Sequence, residues 1–229
     1  MEFTEQHTPA DIVKIYPKAS DLFKENNIDF CCGGDQPLHE QFAKKQVEGE
    51  AILKQLNADY EEWKNAGNEA KDWDAVPLDE LVDHITYRHH NYLKEELPAL
   101  GEFVTKVYRV HGTQHPHLKD LHRLYHEFKL EMEEHTIKED NEVFPLIKKY
   151  VNEPSEELLQ QIRKANRELE EEHDVTGNLL KEMREITNGF QVPAGACGSF
   201  RITYARLAEL EENTFQHVHL ENNILFKRL

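Results

Sequence analysis

Two stretches of this sequence repeat one pattern. His135-Thr-Ile-Lys-Glu139 is followed by Phe144, and His217-Val-His-Leu-Glu221 by Phe226, so both read H-x-x-x-E and then x-x-x-x-F. Each glutamate is followed by Asp or Asn and then by Asn. In a helix, residues four apart share a face, so each pair offers an imidazole and a carboxylate to one site. A neutral imidazole beside a carboxylate able to bridge two ions suits non-haem iron. One such pair is often a surface ion pair; two copies with shared flanks carry more weight.

Residues of this kind need long elements to hold them, and the sequence after Pro77 supplies four. A helix is expected from about Leu78 to Val110, with a kink at Pro98, and then a break at His111 to Pro116. A second helix reaches about Val151, bent or ended near Pro145, before a break at Asn152 to Ser155. A third reaches about Thr187, a loop with three glycines follows, and a fourth spans about Phe200 to Lys227. Short turns between long amphipathic helices force antiparallel neighbours, so the expected class is all-α, an up-down-up-down four-helix bundle.

Turn positions then select the histidines. In an antiparallel pair, residues equidistant from the turn stand at one height. His90 and His135 are centred between residues 112 and 113, His135 and His173 on Pro154, and His173 and His217 on Gly195. All three centres fall inside the three breaks. The expected metal ligands are therefore His90, His135, Glu139, His173, His217 and Glu221. As plain buried groups, four imidazoles and two carboxylates would carry a large desolvation cost. His111 lies roughly 30 Å beyond His90 along a continuous helix and belongs at the far turn, unless Pro98 reverses the chain. His122 and His126 have an attractive i, i+4 spacing but sit two to three turns from the His135 level. His89 and His219 point away by helical phase, toward the surface or behind the ligands.

The 229 residues allow a bundle and a small second domain. Residues 1–58 read as a helical, cysteine-bearing domain, 59–76 as a linker and 77–229 as the bundle. Thr8-Pro9 and Pro17 start helices, Cys31-Cys32-Gly33-Gly34 interrupts the pattern, and Pro37 opens a helix through about Gln46. Adjacent cysteines close a strained ring, so a disulfide between Cys31 and Cys32 is not expected. A helix start just after them favours the thiolate, although an inert buried pair fits the sequence equally well. Cys197 reads as incidental.

The net charge of −17 excludes nucleic acid and an anionic membrane surface as partners. No apolar window has the length of a membrane span and no secretory signal is visible. With three cysteines, an odd number, a reducing cytoplasm is the expected compartment.

Together, CCGG, RHHNYLKEELPAL, EMEEHTIKEDNEVFPLI, EEHDVTGNLL and HVHLENNILF resemble the repair-of-iron-centres family over nearly the whole chain. Its members are hemerythrin-like di-iron proteins with a short cysteine-bearing N-terminal domain. The resemblance implies a cytoplasmic stress protein that helps restore iron–sulfur clusters damaged by nitric oxide or peroxide. The family's iron ligands fall on the same six residues, and a further family histidine falls on His111, against the height argument. The chain departs from some relatives by ending in FKRL rather than Phe-Pro.

Two irons would then share Glu139 and Glu221 as bridges, together with a solvent-derived oxo or hydroxo bridge. Such a centre either donates iron to an apo-cluster or binds and reduces nitric oxide, and the residues do not choose between these uses. Damaged iron–sulfur proteins are the implied clients, nitric oxide or dioxygen the small ligands, and the reading leaves room for a homodimer. The rival is a hemerythrin-type carrier or sensor of dioxygen or nitric oxide, without turnover. It is weakened because hemerythrins typically end their ligand set with H-x-x-x-x-D. A ferritin-like oxidase needs two E-x-x-H motifs, and only Glu170-x-x-His173 fits.

Overall fold

The computed structural model describes residues 1–229, and every regular element in it is a helix. It divides into two compact units, Met1–Pro77 with Val218–Arg228 and Leu78–His217 with Leu229.

The first unit opens with α1 (Pro9–Ile15). Thr8 caps it by accepting a hydrogen bond from the Asp11 amide, and Pro9 sits where a missing N–H costs nothing. Then come α2 (Ala19–Glu25), α3 (Leu38–Lys45) and α4 (Gly49–Asn65). Helix α4 runs through residue 58 with no breaker inside it, until Gly67 takes a left-handed φ of +80° just past its end. Ile12, Phe23, Leu38 and Leu56 are wholly buried, each side chain contributing ~1.5–3 kcal/mol of burial. This unit has its own core.

In the second unit, the first run comprises α5 (Leu78–Ile85), a π-helical turn at Thr86–His90 and α6 (Asn91–His111). The second is α7 (Leu118–Lys138), a π turn at Glu139–Val143 and α8 (Phe144–Asn152). Uninterrupted α9 (Glu156–Ile186) is third, capped by Ser155 on the Leu158 amide. The fourth run, α10 (Gly198–Leu220), continues through a π turn at Glu221–Leu225 and a 3₁₀ turn at Phe226–Arg228, so its last residues count with the first unit. Helix α6 continues through Pro98, which leaves His111 at its far end.

Contacts invert along the chain. His90 meets Asp140, Tyr125 meets Leu97 and His122 meets Thr105, so the first two runs are antiparallel. Arg184 makes a two-pronged ion pair with Glu211 between α9 and α10, and Arg206 another with Glu96 between α10 and α6. Since α7 also packs on α6 and α9, the four runs close into a bundle.

Candidate metal centre

The site begins as a core stripe. On α7, Leu121, Tyr125, Phe128, Met132 and His135 are buried at steps of three or four. On α9, Ile162, Asn166, Leu169, His173, Thr176, Leu180 and Met183 do the same. The histidines occupy positions that the pattern otherwise fills mostly with apolar side chains, and helical phase alone aims them inward.

Three of the four runs break α periodicity at the site itself. The π turns hold His90, begin at Glu139 and begin at Glu221. A π turn inserts one residue, so the next inward position comes five residues later instead of four. Phe144 follows Glu139 and Phe226 follows Glu221 by that step, and all four residues are buried. Phe144 stacks on the His90 ring at 5.3 Å and 10°.

His90, His173, His217, Glu139 and Glu221 are wholly buried and His135 is 2% exposed. Two groups of donors form. His90, Glu139, His217 and Glu221 make one, His135, Glu139, His173 and Glu221 the other, with the donor atoms of each group within 4.8 Å of one another. Both carboxylates belong to both groups. The Nε2 atoms of His90 and His217 are 3.1 Å apart, and those of His135 and His173 are 3.0 Å apart. Glu139 Oε2 lies 3.3 Å from His90 Nε2 and 3.1 Å from His135 Nε2.

The tautomers follow from what stands behind two rings. His90 Nδ1 donates to Asp140 at 2.7 Å and His135 Nδ1 to Glu172 at 2.8 Å. With the proton held on Nδ1, each Nε2 directs a lone pair inward. Lone pairs so aimed meet a carboxylate oxygen and another imidazole nitrogen, contacts that a shared proton or a metal cation must bridge. Nitrogen and oxygen donors with this convergence fit a transition-metal ion. Lys94 braces Asp140 at 2.9 Å and Lys138 braces Glu172 at 2.7 Å. Hydrogen bonding from His135, strengthened by Lys138, outweighs burial and holds Glu172 down at about 2. Burial alone would raise Asp140, but the bonds from His90 and Lys94 win and hold it below the usual range. Both outer carboxylates stay ionised, as orienting acceptors must.

Residues 81–229 match the hemerythrin HHE cation binding domain, and residues 5–60 match ScdA_N, described as a domain of unknown function. The chain belongs to the hemerythrin-type iron–sulfur cluster repair family. The iron–sulfur cluster repair protein ScdA of Staphylococcus epidermidis is 37% identical over 228 residues, 99% of both chains. ScdA of Staphylococcus haemolyticus is 35% identical, covering 98% of both. The iron–sulfur cluster repair protein YtfE of Shigella boydii is 35% identical over 93% of this chain and 91% of its own.

Not every residue singled out in the sequence of this family member joins the two groups. His111 lies beside Cys197, Nε2 to Sγ 3.2 Å, and its ring meets Phe200 edge-on. His122 and His126 face Thr105. His89 is buried and stacks on His217 at 5.4 Å, with Nδ1 bonded to Asn213. His219 is buried too, its Nδ1 3.2 Å from the Phe30 carbonyl oxygen, and burial pushes it down to about 4. Neither is a surface group: a buried core surrounds the centre on more than the ligand-bearing face. Asp140 and Glu172 were missed in the sequence, though each adjoins a selected ligand in the chain.

The Cys31 and Cys32 Sγ atoms are 3.8 Å apart, so no disulfide joins them. The Cys31 thiol donates to Asp29 Oδ1 at 3.4 Å, and Asn223 Nδ2 holds the Cys31 carbonyl at 2.8 Å. The next helix starts only at Leu38, after Pro37, so its N-terminus is not at the thiols as expected. Gly34 is needed because an added Cβ would sit 2.3 Å from the Phe30 carbonyl oxygen. The tight turn brings the chain against itself.

Proposed function

We propose that the six residues hold two non-haem irons, His90 and His217 on one, His135 and His173 on the other. Glu139 and Glu221 are shared, with a solvent-derived oxo or hydroxo bridge. The protein uses this centre to restore iron–sulfur clusters damaged by oxidative and nitrosative stress in the cytoplasm, and its clients are the damaged cluster proteins. The observation that carries the reading is the sharing: two four-residue groups have two carboxylates in common, which suits a bridged pair. Relatives named as repair proteins over nearly their full length support the repair role.

When bound, the iron pair supplies exchangeable iron for an apo-cluster and two electrons for nitric oxide reduction. The chain's own residues set the conditions. Asp140 and Glu172 keep the Nδ1 protons of His90 and His135, so both rings ligate as neutral imidazoles. Phe144 stacks over His90, which is wholly buried. Cys31 and Cys32, soft donors outside this nitrogen and oxygen set, suit transient capture of iron or a cluster fragment.

The test is recovery of a nitric-oxide-damaged [4Fe–4S] hydratase on addition of the iron-loaded protein. Recovery is expected with the unaltered chain and lost with Glu139→Ala and Glu221→Ala. Equal recovery with an iron-free variant would overturn the reading.

A further inference from the structure

His122 and His126 share one face of α7, and both Nε2 atoms lie 3.2 Å from the Thr105 hydroxyl on α6. Their rings are 4.4 Å apart. We propose that His122 and His126, with Thr105 between them, form a second, mononuclear site for a divalent ion of the zinc, nickel or copper class. Two histidines at i, i+4 on a helix are a chelating pair for such ions. His126 stands nine residues before His135 on the same helix, roughly 14 Å along its axis, so this site is separate from the carboxylate-bridged centre.

The pair is set for ligation before any metal arrives. Tyr108 packs on His122 at 5.2 Å, and Tyr125 meets His126 edge-on at 5.6 Å. These contacts fix the rings, so little rotamer freedom remains to be lost on binding. Burial, then the neighbouring imidazole and Arg109, hold His122 below the usual histidine range; burial and Lys129 do the same for His126. Both are neutral at pH 7 and offer lone pairs.

The Thr105 hydroxyl has one proton and can donate to only one of the two nitrogens. The other imidazole must then carry its proton on Nε2. Moving that proton to Nδ1 through solvent turns both Nε2 lone pairs to the ion, with no net proton release. A groove of about 540 Å³ beside Thr105 and His126 leaves space for water to complete the coordination. Of the three cations on this groove, Lys106, Arg109 and Lys129, the last pairs with Glu133 at 2.7 Å, and Glu102 opens onto the same groove. The donor set has no thiolate and two imidazoles, which suits the late first-row ions over ferrous iron.

The experiment uses full-length protein carrying its native metal, with zinc chloride as the probe and a chromophoric zinc indicator as competitor. One further zinc per chain is expected, bound about tenfold or more weakly in His122→Gln and His126→Gln, with iron content unchanged throughout. In the unaltered chain, zinc should also protect His122 and His126 from diethyl pyrocarbonate, read by peptide mass spectrometry. Zinc uptake that is unchanged in the double Gln variant, zinc taken up only in exchange for iron, or absence of protection would each overturn the site.

Discussion

Asp140 Oδ1 accepts a hydrogen bond from His90 Nδ1 at 2.7 Å, joining the second run of the bundle to the first behind the inward-facing side of the imidazole. Lys94 and Thr86 reach the same carboxylate. Removing this acceptor frees the Nδ1 proton and the ring together. Asp140→Ala should lower metal affinity about 10- to 100-fold while leaving the helical content intact. Equilibrium competition with a ferrous chelator checks it, and unchanged affinity would mean that Asp140 only decorates the site.

The π turn at Glu139–Val143 is testable by insertion. Asn141 is exposed within it and hydrogen-bonds back to the Ile137 carbonyl. One residue added beside Asn141 widens the interval from Glu139 to Phe144 to six, which neither α nor π winding keeps on one face, so the two can no longer both face inward. Iron content should fall, and stability should drop by about 2–5 kcal/mol as the core repacks poorly. Metal analysis and denaturant unfolding read the two effects separately; retained iron would show that the five-residue interval is incidental.

His111 separates the height argument from the family correspondence. It faces Cys197 and Phe200 at the far turn. His111→Ala should therefore leave iron content and optical spectrum unchanged, whereas His173→Ala should lower both iron and thermal stability, because buried carboxylates lose their compensation. Iron loss on changing His111 would return it to the ligand set.

Much of this was legible because helices obey a short list of rules. Turn centres near 112, 154 and 195 and the H-x-x-x-E pairs selected six residues, and those are the six that converge. Five-residue intervals from Glu139 to Phe144 and Glu221 to Phe226 were visible too, but their meaning depends on whether both ends face inward. Asp140 and Glu172 could not be told from the rest of 44 acidic residues, since a carboxylate's role depends on where its end reaches. By α phase His89 and His219 turn away from the selected six, which left a place at the surface or behind those residues equally open, and both are buried. The reach of α4 past residue 58 was hidden because its mixed charges resemble those of a linker.

The cysteine pair belongs to the first unit, where Asn223 and Asp29 hold its backbone and thiol. Replacing Cys31 and Cys32 by Ser should leave iron content and spectrum of the bundle unchanged and slow repair of a nitric-oxide-damaged enzyme. Loss of the spectrum would assign the thiols to the centre, and a normal repair rate would make them structural.

The central claim is a pair of irons held by four imidazoles and two shared carboxylates. Metal analysis of protein purified without oxygen tests it most directly, comparing the unaltered chain with Glu139→Ala. The account predicts about two irons per unaltered chain and a fall in both when the shared carboxylate is removed. A firm value near one iron, zinc in place of iron, or a Glu139→Ala protein that keeps its full complement would contradict it.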